Sequence, residues 1–458
     1  MPGLGRCGSV HEMMLVTDLE LSGFNYTDPG MSGERFHAAM GELRAEGWLA
    51  SGPFGYIVLD REAGEFFLRS RATSFPGMKI AEIFNVTEGP LWEQMRHNIL
   101  HVNGPDHSRL RSLVNPALSP RAVERYRPAM RGFLEDLLAQ ALASASASAT
   151  ISSSSSSSSS SASPTSPSPG ALTCEFVEAF AKPYPSQVIA NVMGAPLKDA
   201  PRLHHWSNWI QRQFDAVSMA TEREQIEQAV EEFYEYAREL VAARRDDPGD
   251  DLISTLIAAA DPAHSPERLS DIECINLVFN VLAGGVDTSQ SQLAHAVRLL
   301  AEHPDQWQAL CADPSLASAA VEEALRYEPI TPFTARIVDE EITFRDVTFP
   351  VGTIVMVCAF TGNRDLTENT DTDTRTGTGN HFDITADRSG ARTLTFGAGV
   401  HYCVGANLAR AELEEALTFL AQRFAHLELD GEPEFESITG IYGLGRLPVR
   451  FLGDEEDG

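Results

Sequence analysis

A cysteine inside a glycine-rich loop is the feature that most constrains how this chain can fold. Cys403 lies in the sequence FGAGVHYCVG, between a β-like run at residues 392–396 and an apolar, helix-like run at residues 406–424. The N-terminus of a helix carries partial positive charge and unpaired N–H groups, and both favour a thiolate. Glycines allow the backbone to pass close to a large, flat group. A lone cysteine would be interpreted as a buried thiol in a turn, but the fixed spacing of Phe396, His401 and the glycines is a much more specific pattern.

A long apolar helix is predicted over residues 271–302, and its middle is interrupted. Ser270 and Glu273 have the spacing of a capping box at its start. A pair of glycines beginning at Gly284 interrupts it, and each mid-helix glycine costs about 1 kcal/mol relative to alanine. The hydroxyl of Thr288, four residues after Gly284, could bond the Gly284 carbonyl and open the helix ladder. Close packing of another helix against the glycines is the alternative explanation.

Together the two motifs resemble the cytochrome P450 family, in particular its soluble bacterial members. The loop matches Phe-x-x-Gly-x-His-x-Cys-x-Gly at every specified position, and residues 284–288 resemble (Ala/Gly)-Gly-x-(Asp/Glu)-Thr. The resemblance implies that Cys403 is the axial thiolate ligand of haem b, where electron donation by the thiolate favours cleavage of the O–O bond. It also implies that Thr288 steadies dioxygen through hydrogen bonds and that Asp287 helps to relay protons.

The same resemblance implies a set of haem contacts. His401 is expected to contact a haem propionate, and so is Arg336, because a planar guanidinium suits a carboxylate. His107 and Arg111 lie on one helix face, match the family's His-x-x-x-Arg pattern, and would bind the other propionate. An ordinary edge-strand arginine and a solvated basic helix face are the respective alternatives. The remaining positions expected beside the haem are Ala283, Gly284, Phe396, Gly397 and Gly405.

Glu323 and Arg326 are one helical turn apart. As a surface pair this spacing is common and stabilises a helix by only about 0.2–0.5 kcal/mol. In this place it resembles the Glu-x-x-Arg of the family, which implies a structural role, tying the helix to the loop before the cysteine.

The predicted fold class is mainly α with small β-sheets (α+β), resembling the cytochrome P450 fold with a long central helix over the haem. We expect one such domain over residues 1–458, with a disordered Ser/Pro-rich insertion at residues 144–170, because this segment has too few apolar side chains to offset its chain entropy. A second polar tract, 366–380, is predicted to be a surface loop. Helices are predicted at 34–46, 121–143, 221–245 and 316–327, and β-strands at 56–59, 337–349 and 353–359.

Charge and cysteine content exclude several classes of function. Asp and Glu number 65 against 35 Lys and Arg, a formal net charge of −30, so nucleic acids and anionic membranes are poor partners. No window of about 18 apolar residues predicts a transmembrane helix, and the N-terminal sequence does not resemble a signal peptide. The cysteines are far apart, without a CxxC pair, so we expect neither disulfides nor a zinc ribbon, and a cytoplasmic location.

The reaction implied by the resemblance is monooxygenation of a hydrophobic small molecule, with haem b as cofactor and dioxygen as co-substrate. An oxidative coupling or ring-closing catalyst of P450 type is an alternative, and so is a non-catalytic haem-binding protein. Asp287 and Thr288 argue against the latter, because a pure binding protein needs no proton relay. The predicted substrate pocket comprises Ile83, Phe84, Trp92, Phe214, Val281, Phe333 and Tyr442.

Electrons would come ultimately from NAD(P)H through a ferredoxin reductase and a ferredoxin, because the chain shows no fused reductase domain. Since many ferredoxins are acidic, we expect a local basic patch near the cysteine loop despite the negative net charge. Its candidates are Arg109, Arg121, Arg125 and Arg410. The protein is expected to be a monomer.

Overall fold

The computed structural model describes residues 13–28, 30–154, 171–259, 269–365, 379–388 and 392–453. Its helices are α1 (Gly33–Glu46), α2 (Arg61–Arg69), α3 (Met78–Ile83), α4 (Pro90–His97), α5 (Gly104–Val114), α6 (Pro120–Val123), α7 (Arg127–Ser154), α8 (Pro183–Met193), α9 (Ala200–Gln211), α10 (Ala216–Thr221), α11 (Arg223–Asp246), α12 (Leu252–Ala259), α13 (Asp271–Gly285), α14 (Asp287–Glu302), α15 (Pro304–Ala312), α16 (Ala317–Tyr327), α17 (Ala359–Arg364) and α18 (Ala406–Ala421).

The strands are short and belong to small sheets. They are β1 (Met14–Leu15), β2 (Leu49–Gly52), β3 (Gly55–Val58), β4 (Thr73–Ser74), β5 (Leu172–Glu175), β6 (Phe333–Val338), β7 (Ile342–Phe344), β8 (Val347–Phe349), β9 (Ile354–Cys358), β10 (His426–Leu429), β11 (Glu434–Phe435), β12 (Leu444–Arg446) and β13 (Pro448–Leu452). The largest sheet has the order β2-β3-β9-β6-β4. Within it β6 runs antiparallel to β9, and Arg336 pairs with Val355.

The core is built around α13 and α14. Apolar residues occur on every face of α13, which is the pattern of a helix surrounded by protein, and α13 packs against α8, α9 and α11. The following helix, α14, is buried along almost its whole length and packs against α16 and α18. The cysteine loop directly precedes α18. The central helices are therefore positioned beside this loop.

The mainly α fold with small sheets is confirmed, and most predicted elements are found with shifts of a few residues. The helix predicted over 271–302 is found with its predicted interruption: it is divided at Val286 into α13 and α14, and the predicted capping box at Ser270 and Glu273 is present. The β-like run at residues 392–396 does not form a strand. Its backbone bonds to a side chain and not to a neighbouring strand. Leu394 N donates to Asn363 Oδ1 at 2.6 Å.

The serine-rich segment is helical at its start. Helix α7 continues to Ser154, whereas an irregular loop was predicted from residue 144. Alanine alternates with serine in this part, and alanine is the strongest helix former, which favours continuation of the helix. Residues 155–170, and residues 366–378 of the second polar tract, lie outside the described residues.

Candidate active site

The cysteine loop is a compact backbone turn held by its own hydrogen bonds. Cys403 N donates to Phe396 O at 3.0 Å, and Gly397 N donates to Leu394 O at 2.7 Å. Gly397 and Gly399 have φ angles of 69° and 73°, which L-residues rarely adopt. At Gly399 a Cβ atom would lie only 2.5 Å from the carbonyl oxygen of Leu68. Glycine is therefore required there by both conformation and space.

The thiol of Cys403 lines an internal cavity of about 460 Å³. Burial raises the pKa of Cys403, whereas the Gly405 N–H and the charges of Arg111 and Arg410 oppose this rise. A neutral thiol is thus favoured without a bound cation, but a metal ion displaces the proton from a coordinating thiol. The same cavity is lined by His107, Arg111, Ala283, Gly284, Thr288, Arg336, Phe396, Gly397, His401 and Gly405. The structure brings these predicted residues together from four separate parts of the chain.

Arg336 is a buried cation beside this cavity. It lies on β6, is 3% exposed, and donates from Nη1 to Ala335 O at 2.8 Å. Burial lowers its pKa to about 10. Burial also lowers the pKa of Arg111, on α5. Within the described part of the chain, neither guanidinium has a carboxylate at ion-pair distance, and buried charges without a partner are costly.

Two histidines lie next to these arginines. The His107 and His401 rings are 4.2 Å apart between centroids, and His401 Nε2 is 2.9 Å from Asn103 Oδ1. Burial, followed by the positive charges of neighbouring groups, lowers the pKa of His401 to about 3. Both histidines and both arginines therefore surround a space that favours an anionic group. The contact with Asn103 was not predicted from the sequence.

The break between α13 and α14 leaves backbone carbonyls whose partners are side chains. Thr288 Oγ1 donates to Gly284 O at 2.6 Å, as predicted. From α9, Gln211 Nε2 donates to Ala283 O, and Ser207 Oγ lies 3.4 Å from Leu282 O. At Gly285 a Cβ would clash with Ile189, so close helix packing, the alternative explanation for the glycines, also holds at this residue.

Asp287 does not line the cavity but is buried beside it at the start of α14. It is 5% exposed, and its Oδ2 accepts a hydrogen bond from Ser207 Oγ at 3.2 Å. Burial raises the pKa of Asp287 to about 7. This carboxyl can therefore exchange a proton near neutral pH.

Five of the seven predicted pocket residues line the cavity, namely Ile83, Phe84, Phe214, Val281 and Phe333. Trp92 and Tyr442 do not. Trp92 lies on α4 with the Arg96 guanidinium 5.2 Å from its ring centre. Tyr442 is fully buried, and its hydroxyl accepts a hydrogen bond from Gly33 N at 2.9 Å.

Several polar residues of the lining were not predicted. Gln213 is 2% exposed, and its Oε1 accepts no hydrogen bond from the described residues. Glu412, on α18, is also buried at the cavity, and burial raises its pKa to about 8. The spacing of α18 could have indicated Glu412, because it occurs in an otherwise apolar helix. No sequence signal identifies Gln213.

The Glu323–Arg326 pair has the predicted structural position. Both residues are buried, and their two contacts are 2.7 Å. Arg326 also donates to His381 O at 2.8 Å, while Asp383 N donates to Glu323 Oε1 at 2.9 Å. The pair therefore ties α16 to residues 379–388, shortly before the cysteine loop.

The predicted basic patch is largely neutralised. Arg109 pairs with Glu273, Arg125 with Asp250 and Arg410 with Glu322. Arg121 is exposed. Three of the four candidate arginines therefore have a carboxylate partner that reduces the local positive charge, and the patch stays a prediction.

Comparison with known proteins agrees with this geometry. The sequence profile of the family described as cytochrome P450 matches residues 85–451. Luteothin monooxygenase of Streptomyces thioluteus is 30% identical over 436 residues, covering 94% of this chain and 96% of that protein. The crystal structure of CalO2 aligns with a TM-score of 0.78 at 28% identity, covering 94% of this chain and 99% of CalO2. A structure of the myxobacterial CYP267B1 in complex with myristic acid has a TM-score of 0.75 at 28% identity, covering 93% and 98%.

The chain therefore belongs to the cytochrome P450 family and is a haem-dependent monooxygenase of bacterial type. Its cofactor is haem b, its co-substrate is dioxygen, and its electrons derive from NAD(P)H through a redox partner. In the part of the chain that the structure describes, no helix has the length and apolarity needed to cross a membrane.

The residues of the cavity fit this cofactor. Haem carries two propionates, and Arg111 and Arg336 are cations without a carboxylate partner among the described residues. Cys403 lines the same cavity, and Gly405 lies beside its Sγ, where an added Cβ would be 3.9 Å away.

Proposed function

We propose that Cys403 is the axial ligand of the haem iron and that the cations around it hold the propionates. Arg336 would bind one propionate together with His401, and His107 and Arg111 would bind the other. The observation that carries this proposal is the pair of arginines that lack a carboxylate partner in the described residues and flank a cavity-lining thiol. Ala283, Gly284, Phe396, Gly397 and Gly405 would contact the two faces of the macrocycle.

The bound haem supplies the activation of dioxygen. The chain supplies protons, for which we assign Thr288 and Asp287. Thr288 lines the cavity, and its hydroxyl donates a hydrogen bond to Gly284 O at 2.6 Å. The hydroxyl can exchange this hydrogen bond for one to a reacting oxygen. Asp287, with a pKa raised to about 7 by burial, can give up and regain a proton at neutral pH.

The substrate is proposed to be a hydrophobic small molecule, oriented by Phe84, Phe214, Val281 and Phe333, with Ile83 near the outside of the pocket. Support comes from the mostly apolar lining of the cavity. The free acceptor Oε1 of Gln213 would bind a hydroxyl or amine of such a molecule. Myristic acid, which CYP267B1 binds, is a suitable first probe for this site.

The redox partner is proposed to be a ferredoxin with its ferredoxin reductase. Since Arg109, Arg125 and Arg410 are paired, docking would depend on shape and on Arg121 more than on a broad positive patch. We further propose one P450 domain that acts as a monomer in the cytoplasm.

The experiment that tests the haem ligand is the carbon monoxide difference spectrum of the dithionite-reduced protein. We expect the long-wavelength Soret band of a thiolate-bound haem for the wild type, and its loss in Cys403→Ser. Cys358→Ser is the matched control, because Cys358 is buried away from the cavity. A wild-type protein that binds haem without this band would refute the proposal.

A further inference from the structure

Asn98 is a buried amide side chain in the wall of the cavity. It follows α4 directly and is 2% exposed. Its neighbours Ile99 and Leu100 line the cavity with it. The connection between α4 and α5 therefore brings one strongly polar side chain to an otherwise apolar stretch of the lining.

The orientation of this amide is determined by the backbone. Leu100 N donates to Asn98 Oδ1 at 2.9 Å. Because a backbone N–H can only donate, the amide oxygen must be the atom beside it, and the amide nitrogen occupies the other arm. The main chain of Asn98 is also paired, since its N donates to Met95 O and its O accepts from His101 N and Val102 N. Among the described residues, Nδ2 is therefore the polar atom of Asn98 that is left without a partner.

This donor is held in place by the turn to which it belongs. Asn103 Nδ2 donates to His101 O at 3.3 Å, and Asn103 Oδ1 is 2.9 Å from His401 Nε2. The turn that begins at Asn98 is thereby connected to the start of α5 and to the cysteine loop. A donor on such a supported turn loses little conformational entropy when it binds a ligand.

The charges of the lining disfavour an anionic substrate. Among the described residues, the arginine and histidine side chains that line the cavity are His107, Arg111, Arg336 and His401. All four are assigned above to the haem propionates, and the remaining charged group, Glu412, is a carboxyl. A carboxylate ligand would lose its hydration without gaining a counter-ion, which is costly.

We propose that Asn98 Nδ2 donates a hydrogen bond to a carbonyl or ether oxygen of an uncharged substrate. This inference rests on the proposed binding of a hydrophobic small molecule in the cavity, and it adds the polar group that this molecule carries. The substrate class is then an apolar skeleton with a neutral oxygen acceptor, such as an ester, a lactone or a ketone. Asn98 contacts the substrate and determines its orientation, but it does not take part in the oxidation.

Three probes of nearly equal chain length test the contact in the holoenzyme, namely methyl decanoate, dodecane and decanoic acid. Their dissociation constants are measured by competition with imidazole, which shifts the Soret band when it binds. Serine can accept a hydrogen bond from the N–H two residues on and so keeps the turn, but it is too short to replace the amide. We expect Asn98→Ser to weaken the binding of methyl decanoate about tenfold and that of dodecane less than about twofold, as for the loss of one buried hydrogen bond.

Two further variants control for the turn itself. Thr27 N donates to Asn25 Oδ1 at 3.1 Å in the same kind of turn, and Asn25 is exposed and does not line the cavity. Asn25→Ser should therefore bind all three probes as the wild type does. Asn98→Asp keeps the oxygen beside Leu100 N and replaces the donor by a second oxygen, so it should weaken methyl decanoate at least as much as Asn98→Ser. The carbon monoxide spectrum of each variant verifies that the haem site is intact.

Decanoic acid and the oxidation products test the other two parts of the inference. In the wild type, decanoic acid should bind more weakly as pH rises through its own pKa, whereas the affinity for methyl decanoate should stay constant. With a surrogate ferredoxin and reductase, the wild type should oxidise methyl decanoate at fewer chain positions than Asn98→Ser does. Tighter binding of the ionised acid than of the ester would overturn the neutral substrate class.

The outcomes separate this inference from the proposed function. If Asn98→Ser changes the affinities for methyl decanoate and dodecane equally, or changes neither, the donor role of Asn98 is overturned and the apolar pocket stands. If none of the probes competes with imidazole in the wild type, the proposed hydrophobic substrate fails, and the inference fails with it.

Discussion

Glu328 and Asp287 are both buried carboxylates, but their surroundings are opposite. Glu328, just after α16, is fully buried, and its oxygens lie 2.9 Å from Arg298 Nη2 and 3.0 Å from His37 Nε2. Asp287 accepts a hydrogen bond from the Ser207 hydroxyl, and among the described residues no lysine or arginine lies at ion-pair distance from it. Although burial raises the pKa of both, the partners of Glu328 outweigh it and lower its pKa to about 2, whereas the pKa of Asp287 rises to about 7.

This difference separates a carboxylate that holds helices together from one that can move protons. A permanently charged, fully paired group fixes α1, α14 and the end of α16 relative to one another. A group that titrates near neutral pH contributes less to stability and is available for chemistry. A large pKa shift alone does not distinguish the two sites. They differ in the direction of the shift and in the groups that contact each carboxylate.

The largest expected effect is on stability at Glu328. Glu328→Gln leaves Arg298 buried with only Glu302 as a counter-ion, and we expect a loss of about 3–5 kcal/mol in the free energy of unfolding. Chemical denaturation of the holoenzyme measures this loss. The control is Glu302→Gln, which removes the more exposed partner and should cost about 1 kcal/mol or less. Equal losses of unfolding free energy in the two variants would contradict a special stabilising role for Glu328.

The second effect is on turnover at Asp287. We expect Asp287→Asn to lower NADPH-supported oxidation of the myristic acid probe by about 100-fold, because an amide cannot carry the proton. The carbon monoxide spectrum and the ligand-binding spectrum should not change. A loss of the Soret band in this variant would instead indicate a structural role.

The third effect is a contrast in pH dependence. The pKa of Glu328 is lowered from 4.5 to about 2, so its stabilisation is complete above pH 4.5 and is lost as pH falls towards 2. The pKa of Asp287 is raised from 3.8 to about 7, so the wild type loses stability, relative to Asp287→Asn, as pH rises from 3.8 to 7. Each slope approaches about 1.4 kcal/mol per pH unit. Denaturation curves from pH 3 to about 8 check both signs, and slopes of the same sign would contradict the assignment.

The smallest effect is expected at Ser207. Ser207→Ala removes the hydrogen bond to Asp287 Oδ2, which favours the ionised carboxyl, so the pKa of Asp287 should rise further. A change of about 1 kcal/mol corresponds to a several-fold change in rate and an alkaline shift of the pH profile. Ser218→Ala, at a buried serine outside the cavity, is the control. An unshifted pH profile would show that Ser207 stabilises only the helix break and does not affect the pKa of Asp287.

The parts of the site that were predictable are local in sequence. The Thr288–Gly284 bond and the Glu323–Arg326 pair each join residues within one turn of helix, so spacing alone indicates them. The partners of Asp287 could not be found in this way. Ser207 is 80 positions away in the chain, and its neighbours on α9 have no motif that distinguishes them from other polar helix residues.

The errors have the same physical origin. Residues 392–396 alternate in a β-like manner, but their hydrogen-bond partners are side chains such as Asn363, and no local pattern indicates this. Trp92 and Tyr442 were predicted to line the pocket because they lie in segments that the family resemblance places there, but neither lines the cavity. Their true neighbours, Arg96 and Gly33, are determined by tertiary packing.

The contact between Gly399 and the carbonyl of Leu68 has a consequence for mutational robustness. The cysteine loop rests here on a main-chain atom, and every amino acid carries the same main chain. Substitution of Leu68 can alter the packing behind α2 but cannot remove the atom against which the loop is placed. The position of the Cys403 thiol should therefore tolerate substitution of the α2 side chains near the loop. It should not tolerate substitution of Gly399.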